Sequence, residues 1–141
     1  MNKILIVDDE PDFAEMIKMR LEANGYDIAV AYDGEEGIER AVRDKPDMIL
    51  LDVMMPGMDG FEVLRHLKRR AETRDTPVVM LTAKGESKSM FDGQELGCAD
   101  YLIKPCDSKE LLAVVNRHVT PQSKGGRIRF SFTSDGRPSP P

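Results

Sequence analysis

Five short apolar runs punctuate the chain, and each is cut off by residues of a different kind. Ile4-Leu5-Ile6-Val7 runs into Asp8-Asp9-Glu10, and Met48-Ile49-Leu50-Leu51 stops at Asp52. Pro77 to Ala83 carries Thr82 near its end, and Ala99 to Ile103 leads into Lys104-Pro105. The remaining run, Tyr26 to Tyr32, alternates Ile28 and Val30 against Asp27 and Ala29. Apolar runs too short for a helix and without polar alternation read as strands buried on both faces, which belong to parallel sheets covered by helices.

Between the runs the spacing changes to that of helices. Phe13, Met16, Ile17 and Leu21 form a stripe after Pro11, and Asn24-Gly25 closes it. Asp33 caps a helix over Glu35 to Arg43 that buries Ile38, Ala41 and Val42, and Lys45-Pro46 ends it. A helix from Gly60 through Arg70 turns Phe61, Leu64 and Leu67 inward. Glu86 to Leu96 reads as a weaker helix, interrupted by Gly93 and thin in apolar residues, and is expected to be the most mobile element. Asp107 or Ser108 caps the last helix, with Leu111, Leu112, Val115 and Val119 at helical spacing. Five strand-helix units with short connections predict an α/β domain: a parallel sheet, right-handed crossovers and helices on both faces.

The domain is expected to span residues 1–119. Residues 120–141 are rich in Gly, Ser, Pro and Arg and lack a helical period, so they read as a flexible tail. Within them Arg127 to Phe132 alternates strictly, the pattern of a short edge strand.

Composition narrows the functions. With 141 residues there is material for one domain with a proper core, and a net charge of -5 argues against general affinity for nucleic acid phosphates. No apolar run is long enough to cross a bilayer, and the first run ends too soon for a signal peptide. Cys98 and Cys106 lack CxxC spacing, so two reduced thiols in a cytoplasmic protein are expected.

Parallel strands end on one edge of their sheet, and that edge would collect Asp8, Asp9, Asp52, Thr82 and Lys104. Open parallel sheets bind ligands along that edge. Three carboxylates in one place repel one another unless a cation joins them, and oxygen-only ligands select a hard ion, Mg²⁺. A hydroxyl from Thr82 and an ammonium from Lys104 are groups that hold phosphoryl oxygens. The set describes phosphoryl transfer to an aspartate, with Asp52 as the nucleophile. Each residue alone also has an ordinary reading, as a solvated loop or a helix cap. Their coincidence on four strands of one sheet is what carries weight.

The residues Asp8-Asp9-Glu10-Pro11, the stretch Leu50-Leu51-Asp52-Val53-Met54-Met55-Pro56-Gly57-Met58-Asp59-Gly60, Leu81-Thr82-Ala83 and Tyr101-Leu102-Ile103-Lys104-Pro105 closely resemble the receiver domain of bacterial two-component response regulators. The resemblance implies the flavodoxin-like (CheY-like) doubly wound topology, (βα)5 with strand order 2-1-3-4-5. It implies that Asp52 accepts a phosphoryl group from a histidine kinase or phosphotransfer protein. It further implies that Asp9, Asp52 and the Met54 backbone carbonyl ligate Mg²⁺ directly, with Asp8 acting through water or hydrogen bonding. Lys104 and Thr82 would then hold the phosphoryl oxygens, and Tyr101 would fill the space vacated by Thr82 as the domain switches. Lys104-Pro105 would be cis. Beyond self-catalysed phosphotransfer and dephosphorylation, no enzymatic activity is expected.

Three departures from the family pattern stand out. Cys106 replaces a common Phe, Ala99 and Val114 replace residues that pair across dimers in one subfamily, and Met54 and Lys84 flank the path of hydrolytic water. The expected form is a monomer or a weak dimer through the face made by the helix at 86–96, the strand at 99–103 and the last helix. Twenty-two residues after Val119 are too few for a DNA-binding domain. A stand-alone receiver acting on an unknown protein target is therefore the first expectation, and the receiver of a longer transcriptional regulator the second. A flavin-binding electron carrier of similar topology is disfavoured because Asp8-Asp9-Glu10 would repel a phosphate. A Mg²⁺-dependent phosphatase would need a second catalytic acid and a capping insertion that the sequence does not show.

Overall fold

A computed structural model describes residues 2–83 and 95–119. The elements alternate as β1 (Lys3–Val7), α1 (Pro11–Glu22), β2 (Asp27–Ala31), α2 (Gly34–Asp44), β3 (Met48–Asp52), α3 (Gly60–Lys68), β4 (Val78–Ala83), β5 (Asp100–Lys104) and α4 (Ser108–His118). All pairings are parallel, and the sheet order is β2-β1-β3-β4-β5. The doubly wound topology is thus as expected. The helix expected over 86–96 lies almost wholly outside the described residues, as does the tail at 120–141.

The sheet divides the core in two because side chains alternate across it. Ile4, Ile6, Met48, Leu50, Val79 and Leu81 pack under α1 and α4 with Ile17, Leu21, Leu111 and Val115. Leu5, Val7, Ile49, Leu51, Val78 and Met80 face α2 and α3, meeting Ala41, Val63, Leu64 and Leu67. Every residue of β3 is buried, as its unbroken apolar run requires.

Some expectations shift in detail. Asp107, and not Ser108, caps α4 in a reciprocal capping box with Glu110, and Asp33 caps α2 through the Glu36 amide. β5 begins at Asp100, one residue later than its apolar content suggested. On α3, Val63 is buried while Phe61 is only half-buried, and on α2 Val42 is half-buried. Apolar spacing locates the stripe but not its exact centre, which the angle of the helix on the sheet decides.

Two glycines set the turn after β3. Gly57 takes φ +77°, which L side chains rarely adopt. Gly60 starts α3 so close to the strand it leaves that an added Cβ would fall 2.2 Å from the Asp52 carbonyl oxygen. That contact pins the helix start against the end of β3.

Candidate phosphoryl-acceptor site

The parallel register builds the site. Val7 of β1 lies opposite Leu51 of β3, so Asp8 and Asp52, each the next residue, emerge side by side. Asp52 in turn pairs with Leu81, one residue before Thr82, and Ala83 pairs with Lys104. Carboxylate oxygens of Asp8, Asp9 and Asp52 all lie within 4.8 Å of one another. Lys104 Nζ enters the same group, 2.9 Å from Asp8 Oδ2 and 3.4 Å from Asp52 Oδ2.

Burial makes these charges costly. Asp8 is fully buried and Asp52 is 4% exposed. Burial, and then the charge of Asp8, pushes the Asp52 carboxyl up from 3.8 to about 7, against the opposing pull of Lys104 and the Met54 amide. Asp8 is also raised, again chiefly by burial, with the Glu10 amide and Lys104 offsetting part of it. Burial alone would lower the Lys104 ammonium, but Glu10, Asp8 and Asp52 around it keep it above its usual range. Among the described residues one lysine faces three carboxylates, and it does not neutralise them. The residues therefore fit a further cation, and an oxygen-only donor set suits a hard one such as Mg²⁺.

The other expected residues are distributed around this centre. Thr82 is buried at the end of β4, and among the described residues its hydroxyl makes a single long contact, 3.5 Å to the Ala83 carbonyl. Met54 is 63% exposed, and its amide donates to Asp52 Oδ1 at 3.3 Å. Tyr101 is half-buried on β5 against the α2–α3 side of the core. Lys104-Pro105 is cis, as the family resemblance implied. Cys98 is half-buried and Cys106 buried, both as free thiols. A cavity of about 750 Å³ between α2 and α3, lined in part by Ile38, Val42, Met58 and Arg70, is separate from the carboxylates.

Two contacts around Lys104 escaped the sequence reading. Glu10 Oε1 lies 2.9 Å from Lys104 Nζ, and the Phe13 ring lies under the same ammonium at 4.5 Å. The acidic run Asp8-Asp9-Glu10 was the available signal for the first; nothing in the sequence pointed to the second. At the start of β5, Asp100 meets both Arg117 and His118 from the end of α4. That cluster lies beside Ala99, the position where the family pattern places an acidic residue, and was not expected from the sequence.

A parallel five-stranded sheet with a carboxylate cluster and a lysine at its C-terminal edge makes this a doubly wound α/β domain with an acidic pocket. The response regulator receiver domain model matches residues 4–116, and the chain belongs to this family. It is 45% identical over 115 residues, 82% of this chain, to the DNA-binding dual master transcriptional regulator RpaA of Synechocystis sp., and spans 48% of that protein. The chain thus covers about half the length of this relative. Among solved structures, the chemotaxis protein CheY4 of Vibrio cholerae is 32% identical with TM-score 0.80, covering 84% of this chain and 99% of that one. The receiver domain of the sensor histidine kinase PA1611 of Pseudomonas aeruginosa, solved with magnesium in its active site cleft, is 30% identical with TM-score 0.77, covering 83% and 96% of the two chains. Among the described residues no helix is long and apolar enough to cross a membrane.

Proposed function

We propose that the chain is a phosphorylation-driven switch in which Asp52 is the phosphoryl acceptor. The observation that carries this reading is the buried, under-compensated carboxylate pair Asp8 and Asp52 beside Lys104. Asp9, Asp52 and the Met54 carbonyl would hold Mg²⁺, with Asp8 acting through water or a hydrogen bond. The ion would supply charge neutralisation for the phosphoryl oxygens. Its presence in the cleft of the PA1611 receiver supports the assignment.

In the transfer, an Asp52 carboxylate oxygen attacks phosphorus, and the bond to the donor histidine nitrogen breaks with the electron pair leaving on the imidazole. Lys104 turns its ammonium toward the new phosphoryl oxygens, and the Thr82 hydroxyl donates to another. Among the described residues the one contact Thr82 would give up for this is long and weak. Its movement opens space beside Tyr101 on the next strand, which couples the pocket to the β5–α4 face. The donor would be a histidine kinase or phosphotransfer protein and the listener a protein that reads that face. A receiver working with a DNA-binding output is the second reading, favoured by the similarity to RpaA.

The test is incubation with Mg²⁺ and acetyl phosphate, with mass spectrometry reading an alkali-labile, hydroxylamine-labile addition of one phosphoryl group. Labelling of the intact chain and its loss in Asp52→Asn are expected. An unlabelled chain, under conditions that label a control receiver, refutes the reading.

A further inference from the structure

Lys104 is surrounded by more negative charge than its proposed role needs. Its Nζ sits 2.9 Å from Asp8 Oδ2, 2.9 Å from Glu10 Oε1 and 3.4 Å from Asp52 Oδ2. Asp8 and Asp52 are buried, but the Glu10 side chain is 64% exposed and reaches in from the rim. Glu10 is the N-cap residue of α1, a position whose side chain often caps the helix amides, and here its side chain makes no such bond. Its backbone N–H instead donates to Asp8 Oδ1 at 2.9 Å, anchoring the residue to the pocket by its main chain. The carboxylate left over goes to Lys104.

We propose that Glu10 is a positioning residue for Lys104. It holds the ammonium at the rim of the pocket, and an arriving phosphoryl group must take Lys104 away from it. This inference rests on the reading of Asp52 as the acceptor. Its physical content is a competition between two anions for one cation. The phosphoryl group wins because it carries up to two charges and lies deeper, where water screens less. Glu10 sets the cost of that exchange, so it weakens the pocket's affinity for any phosphoryl-like anion and leaves the fold unchanged.

The experiment is calorimetric titration with beryllofluoride at saturating Mg²⁺, using the full chain, Glu10→Gln, Asp12→Asn and Asp52→Asn. Asp12 lies in the first turn of α1, next to the Glu10 N-cap, and is not among the carboxylates ion-paired to Lys104, so it reports simple long-range repulsion. An exposed ion pair sets the scale of the gain at about twofold to fivefold tighter binding for Glu10→Gln, with Asp12→Asn unchanged. Unchanged or weaker binding by Glu10→Gln overturns the inference. So does an equal gain in Asp12→Asn, which would make Glu10 only one more repelling charge. If the unaltered chain itself binds no beryllofluoride, the acceptor reading fails and takes this inference with it. Binding by the unaltered chain but not by Asp52→Asn keeps the two questions apart.

Discussion

The two ends of β5 carry opposite kinds of acidic cluster. At its C-terminal end Lys104 faces Asp8, Glu10 and Asp52, and the buried carboxyl groups are pushed upward. At its start Asp100 faces Arg117 and His118, with the Tyr101 amide donating to its Oδ1 at 2.9 Å. Burial would raise Asp100 as well, but the Tyr101 amide, His118 and Arg117 bring it below its ordinary value. One cluster is satisfied by its own chain and serves to fasten α4 to the sheet. The other, among the described residues, is left short of positive charge, which is a cost to folding and, on the proposed reading, an opening for a cation and a phosphoryl group.

The largest effect that would test this contrast is on stability in metal-free buffer. A carboxyl raised in the folded state releases its proton more readily when unfolded, so its penalty appears as pH rises from 3.8 towards about 7. At about 1.4 kcal/mol per pH unit, Asp52→Asn is expected to stabilise the protein at pH 8 by up to about 4 kcal/mol, and by nothing near pH 3.5. Urea denaturation in EDTA at both pH values measures it, and a destabilised variant at pH 8 would show that the Asp52 carboxylate is no cost to the fold. Next in size is the response to Mg²⁺. At about a hundred times the dissociation constant the ion should stabilise the unaltered chain by about 2.7 kcal/mol. Asp52→Asn should lose most of that gain in the same denaturation series.

The contrast also marks what the sequence could tell. The strand-end residues were legible because parallel strands force their C-terminal ends together, whatever the helices do, so Asp8, Asp9, Asp52 and Lys104 gather from topology alone. Element order and the separation of the core followed from apolar spacing for the same reason. Glu10 and Phe13 were not legible as partners of Lys104, because their contacts depend on how the N-cap and first turn of α1 sit against the end of β5, which no spacing within either element encodes. Asp100 with Arg117 and His118 depends on where α4 ends relative to the start of β5, which no spacing within either element encodes.

A third effect has the opposite sign. Asp100 is held below its ordinary 3.8, so its stabilisation is present above about pH 4 and disappears as pH falls through its folded value. Asp100→Asn is therefore expected to destabilise at pH 7 by about 1.5–3 kcal/mol, the scale of a charge-assisted hydrogen bond, and less as pH falls through its folded value. If Asp52→Asn and Asp100→Asn shifted stability in the same direction at neutral pH, the two ends of β5 would not differ as described.

The smallest effect separates the members of the satisfied cluster. The Arg117 side chain is 57% exposed, whereas His118 and Asp100 are 18% and 20% exposed at their contact. An exposed ion pair is screened by water and salt and gives about 0.2–1 kcal/mol. Arg117→Gln should therefore cost less than Asp100→Asn, and its cost should shrink further between low salt and 1 M salt, where the screening length falls to about 3 Å. The remaining contact, His118 Nε2 to Asp100 Oδ2 at 3.1 Å, is better shielded and should keep its contribution at high salt. A salt-insensitive loss in Arg117→Gln, measured by the same urea transitions, would instead make the guanidinium the anchor of α4 and the histidine its accessory.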